Sequence, residues 1–85
     1  MTKQNSSDIF AELKNVLATL PFHLSDIEKY SLSTEIRNLP GWDSFKHLTY
    51  LMAIEERFDI EIGPEEFREI GTFSDLVDYV ERATG

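Results

Sequence analysis

The chain is interrupted most sharply at Leu39-Pro40-Gly41-Trp42-Asp43-Ser44, and an apolar stretch at helical spacing comes directly after it. Proline has no N–H and glycine tolerates backbone that other residues avoid, so Pro40-Gly41 stops any regular element. Asp43 is a good N-cap, able to accept from one of the unpaired amides of a first helical turn. A helix over 44–58 is predicted, with Ser44 in its first turn, exposed at the positive end of the helix dipole. That position favours an attached phosphate. No base stands beside Ser44 to make it a nucleophile. It is therefore either a cap residue or an attachment point.

The other segments constrain the fold further. Ser6 or Ser7 can cap a helix running to Leu20, with Ile9, Phe10, Leu13, Val16, Leu17 and Leu20 forming one buried stripe that Pro21 ends. In the helix over 44–58 the corresponding positions are Phe45, Leu48, Leu51, Met52, Ile54 and Phe58. Asp59-Ile60-Glu61-Ile62 alternates, but a lone strand has no partner, so an extended loop tucking both isoleucines inward is expected. Pro64 fits the first position of a short helix with Glu65 and Glu66 in its first turn, Phe67 and Ile70 inward, and Gly71 as its end. Thr72, with Asp75 three residues on, caps a last helix whose core face is Phe73, Leu76, Val77 and Val80, with Tyr79 at the margin.

Between the first two long helices lie residues 21–43. So long a structureless loop is unusual in a small domain. Phe22, Leu24, Ile27, Tyr30, Leu32, Ile36 and Leu39 can anchor it inward, and Ser25-Asp26-Ile27-Glu28 has capping-box spacing for a helical turn near 25–30. The fold class predicted is all-α: a small four-helix bundle with three longer helices, a short third helix and a long ordered loop. One domain spans 1–85, with 1–5 expected to be frayed.

Composition excludes several functions. The chain has no cysteine, so neither disulfides nor a thiolate metal site hold it. Its formal charge of -8 repels nucleic acid and suits partners with basic surfaces, or simply keeps the protein soluble. No membrane-length apolar run and no signal-peptide pattern occur, so a soluble, cytoplasmic monomer is expected. His23 and His47 have no metal-binding spacing, and Ser44 with His47 three residues on is no hydrolase without an oxyanion loop or nucleophile elbow. His47 is expected at the surface or against a partner. Trp42 either anchors the turn or faces partners, anchoring being the default. From Glu55 to Glu69, seven acids stand against two arginines. No calcium-loop pattern occurs there, leaving a solvated surface or a docking face for lysines and arginines.

Asp43-Ser44-Phe45, Leu48, the run Met52-Ala53-Ile54-Glu55-Glu56-Arg57-Phe58-Asp59-Ile60-Glu61-Ile62, Pro64-Glu65-Glu66 and Phe73-Ser74-Asp75-Leu76-Val77-Asp78-Tyr79-Val80 together resemble the acyl carrier protein family. The resemblance covers about Ile36 to Arg82 without a gap. It implies a non-catalytic carrier bundle whose Ser44 bears phosphopantetheine, delivered from coenzyme A by a Mg-dependent transferase that contacts Asp43. The arm's terminal thiol carries acyl groups as thioesters to partner enzymes, which suits a chain without cysteine. The residue after the serine is usually Leu or Met in that family, and here it is Phe45. Lys46, His47 and Thr49 stand where fatty-acid carriers have acids. Gly-Trp-Asp-Ser-x-x-His looks like stand-alone carriers of specialised pathways. Partner docking is accordingly expected at Phe45, Lys46, His47, Glu55, Glu56, Glu65 and Glu66. The alternatives are an aminoacyl or peptidyl carrier, or an unmodified helical interaction module. Whether cargo is sequestered between helices stays open.

Overall fold

A computed structural model describes residues 5–84. Four helices form in the order expected: α1 (Ser6–Thr19), α2 (Ser44–Phe58), α3 (Pro64–Glu69) and α4 (Phe73–Thr84), with two short 3-10 turns, Ile27–Lys29 and Ile36–Asn38, between α1 and α2. Helix α1 packs against both α2 and α4. The core joins Ile9, Leu13, Val16 and Leu17 of α1 to Tyr50, Leu51 and Ile54 of α2 and to Phe73, Leu76, Val77 and Val80 of α4, with Ile36, Leu39 and Ile70 closing it.

Helix ends follow local chemistry. The cap of α1 is Asn5, whose side chain accepts from the Asp8 amide at 2.9 Å, so neither Ser6 nor Ser7 plays that part and Asn5 is ordered. The rest of the stretch expected to fray, residues 1–4, lies outside the described residues. Asp75 Oδ2 accepts from the amides of Gly71 (3.0 Å) and Thr72 (3.1 Å), while Thr72 Oγ1 accepts from the Asp75 amide (3.1 Å). This reciprocal cap holds the Asp75 carboxyl below its ordinary range, the Gly71 and Thr72 amides being the leading causes. Pro64 opens α3 as anticipated.

The long connection is ordered because α4 provides partners for its backbone. Glu35 and Thr72 form an isolated antiparallel bridge. Around it the Ile36 amide donates to Gly71 O (2.8 Å), Phe73 to Thr34 O (3.2 Å) and Ser74 to Leu32 O (2.8 Å). Leu32 thus contributes its carbonyl, not its side chain, which is exposed, contrary to its expected role as an anchor. A turn does form near 25–30, but Asp26 is in the left-handed region and makes no side-chain cap, so the expected capping box is absent.

The largest departure concerns α2. Its buried face is His47, Tyr50, Leu51 and Ile54, while Phe45, Leu48 and Met52 are exposed at 73%, 47% and 54%. The rotation has identifiable causes. The Tyr50 hydroxyl, fully buried, donates to Leu13 O at 2.7 Å, giving α1 a partner that Met52 could not supply. On the other side the Trp42 ring sets its plane nearly perpendicular to those of Tyr50 and His47.

Candidate functional site

Asp43 is extended (φ −146°, ψ −179°), and its Oδ1 accepts from the Lys46 amide at 2.8 Å while its carbonyl accepts from the His47 amide at 3.0 Å. Ser44 is therefore the first residue of α2, and its side chain is exposed. Just upstream, Gly41 takes φ +69°, a conformation that favours glycine. Lys46 Nζ folds back to donate to the Gly41 carbonyl at 2.7 Å and lies 5.7 Å from the Phe22 ring centroid. The Lys46 ammonium is thus occupied in holding the turn, although the sequence suggested it for partner contact.

Trp42 anchors the turn, the inward alternative of its two sequence readings. Its ring meets Phe22 edge-on at 5.4 Å, and its indole N–H donates to His47 Nδ1 at 3.3 Å. His47 itself is 1% exposed, which corrects its expected place at the surface. The reason is polar pairing: Trp42 satisfies one ring nitrogen, and Phe67 packs edge-on to the imidazole at 5.0 Å. Burial and then the nearby Arg37 charge lower the His47 pKa, while the carbonyls of Phe67 and Ile70 pull the other way. A base whose Nδ1 is committed to an indole does not activate Ser44.

Arg37 was not singled out from the sequence. It donates to the carbonyls of Phe67 (2.9 Å), Ile70 (3.2 Å) and Arg68 (3.3 Å), satisfying the free end of α3. With Trp42, Asp43, Ser44, His47 and Phe67 it lines a cleft of about 250 Å³. Nothing local in the sequence links Arg37 or Phe67 to Ser44. The only available hint was that both flank the Pro40-Gly41 and Gly63-Pro64 breaks.

The acids do not make one face. Glu55 and Glu56 line a groove with Met52, Asp59 and Glu61. Glu66 lines a separate cleft with Glu69, Asp75 and Asp78 on the α3–α4 side, and Glu65 is exposed in the first turn of α3. Glu55 is also structural: its Oε2 accepts from the Ile62 amide at 2.6 Å and holds the loop after α2. Among the described residues no group of three or more potential metal ligands is found.

An exposed serine opens a well-capped helix beside a small mixed cleft, and comparison with known proteins bears on this stretch. A family model described as the phosphopantetheine attachment site matches residues 23–80. An acyl carrier protein of Wolinella succinogenes is 36% identical over 73 residues, covering 86% of this chain and 93% of that one. The chain belongs to the acyl carrier protein family. Its covalent cofactor is phosphopantetheine, and members of the family are carriers, not catalysts. The geometry fits such a group: the helix terminus suits its phosphate and the cleft adjoins the serine. No described helix of this carrier is long and apolar enough to cross a membrane.

Proposed function

We propose that Ser44 is the phosphopantetheine attachment residue, and that the protein is a monomeric, cytoplasmic acyl carrier serving a specialised biosynthetic pathway. The observation that carries this reading is the exposed Ser44 at the first position of the Asp43-capped α2, inside the span matching the attachment-site model. When bound, the group supplies a thiol on which acyl chains travel as thioesters. The protein's own residues do the rest. Asp43 fixes the first turn and so the direction of the serine, and its exposed carboxylate beside the serine is available for a transferase to contact. Trp42, Lys46 and His47 brace the turn, which makes the hydroxyl's position rigid relative to α2.

Partner choice fits the opposite face of α2. Phe45, Leu48 and Met52 form an exposed apolar stripe leading from Ser44 toward Glu56, which is exposed beside Met52 in the acidic groove. A partner enzyme with an apolar recess flanked by basic side chains complements this stripe, gaining encounter rate from charge and selectivity from the Phe45 ring. Phe45 at the serine's flank, and the Trp42–His47 pair behind it, support the assignment to a specialised pathway.

Incubation with coenzyme A and a promiscuous phosphopantetheinyl transferase, with intact mass measured afterwards, tests the attachment. A phosphopantetheine mass increment is expected for the wild type and none for Ser44→Ala. An adduct that survives Ser44→Ala, or no adduct on the folded wild type, would overturn the reading.

A further inference from the structure

Helix α3 has no fully buried residue, so apolar burial alone gives it little hold on the bundle. Polar pins fix it instead. Arg37 donates to the carbonyls of Phe67 at 2.9 Å, Ile70 at 3.2 Å and Arg68 at 3.3 Å, all at the C-terminal end of the helix. The Phe67 ring stands edge-on to the His47 imidazole at 5.0 Å, and His47 is buried. On one edge of the imidazole the Trp42 indole N–H donates to Nδ1 at 3.3 Å, and the carbonyls of Phe67 and Ile70 face the ring from α3. Trp42 in turn stands edge-on to Tyr50, which is fully buried and whose hydroxyl donates to Leu13 O.

A row of mutually paired groups therefore closes the seam between α2 and α3 at the end where Ser44 lies. An alkyl chain that starts from Ser44 and turns into the core along this seam must part them. A methylene neither donates to the α3 carbonyls nor accepts from an indole, so each pair broken leaves a polar group unmet in an apolar interior. Behind the row, Leu39, Leu51, Ile54 and Ile70 already belong to the packed core, and forcing extra methylenes among such side chains strains them. On the other flank of α2 a groove of about 610 Å³ runs past Met52, Ala53 and Ile60. Glu55, Glu56, Asp59 and Glu61 line it as well, so it is an acidic surface and not an interior.

We propose that Arg37, Trp42, His47 and Phe67 form a closed gate that keeps the acyl group tethered through Ser44 outside the bundle. The inference rests on the Ser44 reading above. It names a class of cargo: acyl groups that are short or polar, with little apolar surface to withdraw from water. Their thioester stays exposed to partner enzymes, with no step needed to extract it from the core.

The test loads the protein from acetyl- or octanoyl-coenzyme A with a promiscuous phosphopantetheinyl transferase, and intact mass verifies each form. Hydroxylamine then cleaves the thioester at a rate that reads its exposure, normalised to the free acyl-pantetheine. Wild-type acetyl and octanoyl forms should react at the same normalised rate and give the same methyl resonances for Leu51 and Ile54. His47→Ala removes the middle of the gate. In that variant the octanoyl form should react several-fold more slowly than the acetyl form and shift those resonances. Arg37→Ala, at an exposed position, frees α3 without altering the core. It should act in the same direction, and it carries the test if His47→Ala fails to fold. Protection of the octanoyl thioester in the wild type would overturn the gate and leave the Ser44 reading standing. Equal rates for both cargoes in the folded variants would also overturn it, because other residues would then exclude the chain. Absence of any adduct on the folded wild type overturns the Ser44 reading and the gate together.

Discussion

Helix α2 has two apolar faces that met different fates. One set, His47, Tyr50, Leu51 and Ile54, is buried, and the other, Phe45, Leu48 and Met52, is exposed. At 3.6 residues per turn the two sets centre roughly 140° apart, so no rotation of the helix buries both. By hydrophobicity alone, Phe45, Leu48 and Met52 would be preferred inside over a histidine. The buried face wins because the Tyr50 hydroxyl finds the Leu13 carbonyl there and His47 Nδ1 finds the Trp42 indole. The face left outside is a sizeable apolar patch beginning at the proposed attachment residue, as a protein that visits many enzymes requires.

Substituting members of each face separates their roles. Ile54→Ala should cost about 2–5 kcal/mol in chemical denaturation, because a fully buried side chain leaves a cavity in the core. Tyr50→Phe should cost about 1–3 kcal/mol, since the ring remains but the Leu13 carbonyl loses a buried donor. If Tyr50→Phe proves neutral, packing alone sets the rotation of α2. On the outer face Met52→Ala and Leu48→Ala should change stability by less than about 0.5 kcal/mol. Both should raise the KM of partner enzymes for the loaded carrier, and equal KM values would show the stripe to be idle.

Acidification probes the same contrast. The folded His47 pKa lies below the ordinary imidazole value of 6.5 through burial and the Arg37 charge. Between those two values the unfolded chain binds the proton that the folded ring resists, so stability is complete above 6.5 and falls as pH drops through the window. His47→Gln should give a flatter profile over that range in thermal unfolding. A further loss belongs to Glu12, held below 4.5 chiefly by the hydrogen bond from Arg57, and sets in only under more acidic conditions. The smallest effect expected is that of Glu56→Lys, a modest salt-dependent slowing of partner turnover without loss of stability. Glu55→Lys should add a folding defect, because Glu55 holds the Ile62 amide.

Much of the molecule could be read from local chemistry. Pro21, Pro40-Gly41, Pro64 and Gly71 mark helix limits because they act on the backbone within a residue or two, whatever the rest of the chain does. Asp43 and Thr72 cap as expected for the same reason. The core face of α4 is unambiguous, since its exposed positions are mostly charged and only one rotation hides its apolar residues. The connection over 21–43 was foreseen as ordered, but what orders it, pairing with the α3–α4 junction, depends on backbone partners over thirty residues away.

Order along the chain is enough to establish an all-α carrier of the acyl carrier protein family, with Ser44 at the start of its second helix, because spacing, caps and a family pattern are all properties of that order. The surroundings of the serine came from packing in three dimensions. Packing turned His47 inward onto Trp42, folded Lys46 back onto Gly41, divided the acids between two clefts, and brought Arg37 and Phe67 beside residues they do not adjoin in sequence. Periodicity specifies that a helix has a buried side. Which side is buried depends on the partners that the rest of the fold supplies for each polar atom.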